Sequence, residues 1–204
     1  DQFGRRNMVR NVLKDGLALG RETGLNPFRM GFIGSTDTHS ATPGGAEEDN
    51  YTGHLGRRDT GYRNLQDHFF DNPGGLAVVW AEENSRDAIF EAMRRREAYA
   101  TSGTRPVVRF FAGSELPPDL CDSPDMIERA YATGTPMGGE MDAVAGDKPM
   151  RLLVSATKDP GSPGFPGTDL QRLQVIKGWL DTEGNTHEEV VDVAGDADNG
   201  AWVD

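Results

Sequence analysis

The sequence predicts an α/β protein that ends in a small antiparallel β region. Two observations predict it. Up to Gly113 an amphipathic helical period alternates with short apolar runs of strand length. After Gly113 the texture turns Pro- and Gly-rich, and strand-like runs follow one another with turns between them. The chain therefore divides into residues 1–113, built of β/α elements, and residues 114–204, a Pro/Gly-rich connection with a β-rich end.

Residues 5–23 carry Met8, Val9, Val12, Leu13, Leu17 and Leu19 at roughly helical spacing, with Arg, Lys and Glu between them. Gly24 is placed to cap this helix, and Asn26-Pro27 stops it. "RMGFIGS" reads as a short buried strand. Residues 41–75 are polar and rich in Gly, Asn and Asp, a loop long enough to suggest function. Leu76–Trp80 reads as a second buried strand. "NSRDAIFEAMRRREAYAT" reads as one helix, with Asn84 or Ser85 as its cap and Asp87 in its first turn. Arg94-Arg95-Arg96 suits its solvated end. "SGTR" is a turn and "PVVRFFAG" a third strand. A short helix is expected at residues 124–132, and strands in "MRLLVSATKDPG", "LQRLQVIKGWLDTEG" and "THEEVVDVAG". "GTPMGGEM" lacks the lysine and spacing of a phosphate loop and reads as a tight turn.

Composition excludes several classes. With 36% hydrophobic and 26% charged residues the chain is globular. A net charge of -12 argues against nucleic acid, whose phosphates need clustered cations. No run approaches the roughly 20 apolar residues of a membrane span. The start, DQFGRRNMVR, has no apolar signal core and no initiator Met, so it is uninformative about compartment. The single Cys121 excludes an internal disulfide, and its neighbours Asp119 and Asp122 disfavour a thiolate nucleophile.

The chemistry concentrates where the first strand ends. In "GFIGSTDTHSATPGG", Asp37 and His39 lie two residues apart on the loop leaving a strand. In extended backbone both side chains point the same way and can reach one cation. An O/N pair suits Zn, Mn or Fe. Spacing alone leaves two readings open, a metal pair and a polar turn in which Ser35 and Thr36 bond the backbone. His54 on the long loop and Arg105 after "TSGT" are candidate substrate contacts, Arg105 through a phosphate or carboxylate group. Glu82, Glu83 and Asn84 end the second strand and are weaker candidates. Glu47, Glu48 and Asp49 read as a solvated acidic loop, and Trp80 and Trp179 as core.

"GFIGSTDTHSATPGG", "WAEENSRDAIFEAMRRREAYATSGTR", "VVRFFAG", "GTPMGGEM" and "DLQRLQVIKGWLD" together resemble one bacterial family, domain of unknown function 3604. That family is similar to the polymerase-and-histidinol-phosphatase (PHP) superfamily of metal-dependent hydrolases. The resemblance implies the C-terminal part of a distorted β/α barrel with two or more divalent metals. It implies a hydrolase, most simply a phosphoesterase, acting on a small molecule with a metal-activated water. A "G-S-D-x-H" segment of such proteins matches residues 34–39 with one extra residue, which assigns metal ligation to Asp37 and His39. Their early "D-x-H-x-H" motif has no counterpart here, and His54, His68 and His187 are isolated. The chain is therefore expected to be truncated at both ends, to need the N-terminal part of the same protein, and to be inactive alone. The alternative is a non-catalytic binding or structural protein on a degenerate barrel. The resemblance favours a periplasmic or exported location over a cytoplasmic one.

Overall fold

The computed structural model describes residues 4–5, 8–35, 75–142, 148–196 and 198. By contact the chain divides into two units, Asp1–Met30 with Leu170–Trp202, and Gly31–Asp169.

The first unit is a helix on a hairpin. Helix α1 (Val9–Thr23) ends at Gly24, whose left-handed backbone (φ 77°) lets its N–H reach Gly20 O at 3.0 Å. Strands β6 (Arg172–Leu180) and β7 (Thr186–Gly195) pair antiparallel from Leu180 opposite Thr186 to Arg172 opposite Gly195. The helix is tied to the hairpin by charge. Lys14 Nζ and Arg10 Nη1 donate to the Glu188 carboxylate at 2.9 and 3.2 Å, and Arg21 donates to the carbonyls of Asp181 and Thr182. Solvent screens pairs of this kind, so each contributes little to stability.

Asp181 closes the hairpin. Its carboxylate accepts the Glu183 and Asn185 N–H groups at 3.0 and 2.8 Å and meets His187 Nε2 at 2.8 Å. His187 stacks on Trp179 across the strands. The hydrogen bond to His187, then those to Asn185, hold the Asp181 carboxyl well below its usual range. A depressed pKa stabilises the fold above the ordinary carboxylate range, and that contribution fades as pH falls through it. Asp181→Asn is therefore expected to flatten the acid limb. The unfolding midpoint of wild type should drop more between pH 6 and pH 3 than that of the variant; parallel curves would refute the assignment.

The second unit holds two antiparallel sheets. Strand β1 (Leu76–Val79) pairs with β2 (Ala98–Thr101), Leu76 opposite Thr101 and Val79 opposite Ala98. Helix α2 (Arg86–Arg94) connects them, capped by Ser85, whose Oγ accepts the Ala88 N–H at 3.2 Å. Strand β3 (Val107–Gly113) is central in the other sheet, between β4 (Thr135–Pro136) and β5 (Arg151–Thr157). Helix α3 (Met126–Thr133) packs on β3. Phe111, Leu116, Leu120, Ala130 and Leu153 form the core, with Met126 and Ile127 against it.

The fold is thus mixed helix and sheet with small antiparallel sheets, and the described residues form no closed barrel. Four expectations are corrected. The helix expected to run through Thr101 stops at Arg94. Arg96 takes a left-handed backbone (φ 61°) and turns the chain back, so that Glu97 O accepts the Trp80 N–H at 2.9 Å and residues 98–101 pair with β1. Of the three arginines, Arg94 is the exposed helix-end residue expected, whereas Arg96 donates from Nε to Gly138 O at 3.1 Å and from Nη2 to Glu140 at 2.9 Å. "RMGFIGS" forms no strand and is not buried, Met30, Phe32 and Ile33 being exposed. Its Met30 N–H bonds back to Phe28 O at 3.0 Å and its Gly34 N–H meets Leu76 O at 3.2 Å, too little for a ladder, while β1 pairs with β2 instead. Trp80 and Trp179 are half-buried rather than core.

Candidate functional site

Asp37, His39 and His54, with Glu47, Glu48 and Asp49, lie outside the described residues. The structure describes where their segment departs and returns. The Gly34 N–H donates to Leu76 O at 3.2 Å. A Cβ on Gly34 would stand 2.7 Å from Leu76 O and 2.8 Å from Thr101 O. One on Gly75 would collide with the Ser35 carbonyl. Two glycines therefore let backbone meet backbone where residues 34–35 cross 75–76. Asp37 and His39 follow that anchored crossing by two and four residues.

Arg105 ends the turn that begins at Thr101, the residue whose carbonyl lies against Gly34 at the crossing. It is exposed, and its main-chain N–H donates to Asp159 Oδ2 at 2.6 Å. Asp159 is buried and also accepts the Gly161 N–H at 2.8 Å, so it ties the turn to the loop after β5. Glu82, Glu83 and Asn84 are exposed in the bend between β1 and α2. Among the described residues no three His, Cys, Asp or Glu side chains cluster as a metal site.

A second feature lies on the same unit. A cleft of about 550 Å³ is lined by Trp80, Glu82, Arg95, Glu97, Arg109 and Tyr131, among others. The Arg109 guanidinium carbon lies 3.1 Å from the Trp80 ring centroid, a cation–π stack. Trp80 is itself fixed by its indole N–H, which donates to Val108 O at 3.1 Å. Arg109 Nη1 donates to Tyr131 Oη at 3.2 Å, and the Tyr131 hydroxyl donates to Glu97. Glu97 is buried and also pairs with Arg95 at 3.4 Å. Burial, then the Glu97 hydrogen bond, pushes the Tyr131 phenol above its usual value. It stays protonated at neutral pH and can donate to Glu97 while accepting from Arg109. These residues come from the segment just after β1, the turn after α2, β3 and α3, which is why no single motif exposed them. The one local signal is Arg109 itself, a charge inside the apolar run "PVVRFFAG".

Three comparisons bear on identity. The family model described as "Protein of unknown function (DUF3604)" matches residues 2–201. An uncharacterized protein of Chlamydia trachomatis serovar D is 43% identical over 53 residues. The match covers 24% of this chain and only 8% of that protein, which is therefore about three times as long. No solved structure matches. No described helix is long and apolar enough to cross a membrane.

Proposed function

The chain belongs to the DUF3604 family, and from that premise we propose that it is the C-terminal part of a metal-dependent hydrolase of the PHP kind, acting on phosphoesters. The observation that carries the reading is the Gly-Ser-Thr-Asp-Thr-His segment leaving the glycine crossing at residues 34–35 and 75–76. A rigid anchor two residues before the first ligand holds a donor pair well. The donor chemistry fits the metal: a carboxylate oxygen and an imidazole nitrogen suit Zn, Mn or Fe. A catalytic site takes three or more protein ligands. The others are assigned to the rest of a longer polypeptide with a β/α barrel, for which the length of the Chlamydia relative gives room.

A divalent metal bound there would supply a water acidic enough to yield hydroxide near neutral pH. The chain's own part is positional. Asp37 and His39 would hold the metal. Arg105, on a turn tied down by Asp159, is assigned to take the substrate's negative charge, and His54, in the long loop of the sequence, to contact the substrate. Dialysis of the full-length protein against EDTA is expected to abolish hydrolysis of p-nitrophenyl phosphate, and added Zn or Mn to restore it. Full turnover after complete metal removal would sink the proposal. Failure of the metal-loaded protein to cleave phosphate or carboxylate esters would leave a non-catalytic binding protein.

A further inference from the structure

We propose that the Trp80–Arg109–Tyr131 cleft is a binding site for a small organic carboxylate. The argument begins with what Arg109 lacks. Each of the other charges in the cleft wall is either spoken for or at the rim. Glu97 is matched by Arg95 and by the Tyr131 hydroxyl, and Glu82 is exposed. Arg109 forms no ion pair among the described residues. Its one hydrogen bond uses one of five N–H donors. One face of the guanidinium is covered by the Trp80 ring, so the free donors lie along its edges, in the plane.

A planar fork held at both its face and one corner is set up for a planar, bidentate acceptor. A carboxylate has that shape, and its single charge matches the single uncompensated cation. A phosphate dianion would leave a charge unmatched beside Glu97 and Glu82. Trp80, Ala81 and Pro136 supply apolar wall for the rest of the molecule. Fixing the fork in advance matters, because an arginine free in solvent would lose rotamer freedom on binding. The cleft stands apart from the metal reading, since none of its residues is a proposed metal ligand and, of the site candidates, only the weaker Glu82 lines it, at the rim.

The probes are benzoate and inorganic phosphate, titrated into the full-length protein and followed by calorimetry and by the NMR signal of the Trp80 indole N–H. Benzoate is expected to saturate in the millimolar range and to shift that signal. Arg109→Gln should weaken it at least about tenfold, from the loss of charge-assisted bonds. Arg109→Lys, which keeps the charge but not the fork, should weaken it too, and serves if the Gln variant does not fold. Arg94→Gln, on the exposed helix end, should bind as wild type. No saturation of wild type by benzoate overturns the proposal. So does unchanged binding in a folded Arg109 variant, and so does phosphate binding more tightly than benzoate.

Discussion

Asp37→Ala and His39→Ala, each made in the full-length protein, are expected to lower phosphoester turnover by about a thousandfold or more. A metal at a hydrolytic centre contributes several kcal/mol of transition-state stabilisation, and each 1.36 kcal/mol is tenfold in rate. Each of the two side chains is assigned as a direct ligand, so neither has a substitute two residues away. Steady-state kinetics should show the loss in kcat, with the unfolding midpoint little changed, because these residues lie past the crossing that anchors the segment. Arg105→Ala should act differently. It leaves the metal in place and removes a substrate contact, so its loss should fall mainly on KM. A kcat within a few-fold of wild type for both ligand variants would refute the metal assignment.

Phe111→Ala is expected to destabilise the second unit by about 3–5 kcal/mol, the usual cost of emptying a buried phenylalanine site. Phe111 is 1% exposed and sits on the central strand, opposite Leu153 on β5 and Pro136 on β4. Its ring meets the Tyr131 ring edge-on at 5.0 Å. The core cluster around it holds only five buried apolar side chains, so the loss of the largest has little to collapse onto. Phe90, 54% exposed on α2, is the comparison. Phe90→Ala should cost less than about 1 kcal/mol in the same urea titration. Equal losses for the two would mean that the core is misplaced. Because Phe111 also backs Tyr131, its removal should loosen the cleft and weaken benzoate as well.

Local pattern was legible where local physics decided. The helical period of residues 9–23, the cap at Gly24, the run Val107–Gly113 and the three later strands appear close to where the sequence puts them. Tertiary choices were not. "EAYAT" continues a helical sequence, yet its last four residues pair with β1, because a left-handed Arg96 turns the chain there. No residue-scale signal announces a positive φ at an arginine. Apolar runs also carry no information on strand partners or direction, and every described pair is antiparallel. The Arg109 cleft was hidden for the same reason. Glu97 and Tyr131 are 34 residues apart in sequence and meet only through the packing of α3 on β3. Asp37 and His39, by contrast, were singled out because a carboxylate and an imidazole two residues apart are a local pattern, whose metal reading came from the family resemblance.

The central claim is that Asp37 and His39 hold a metal. It is tested most directly by elemental analysis of the full-length protein, purified without chelator, as wild type and as the Asp37→Ala/His39→Ala double variant. The wild type should retain Zn, Mn or Fe in stoichiometric amount through gel filtration, and the folded double variant should lose at least one equivalent. Identical metal content in the two would contradict the account.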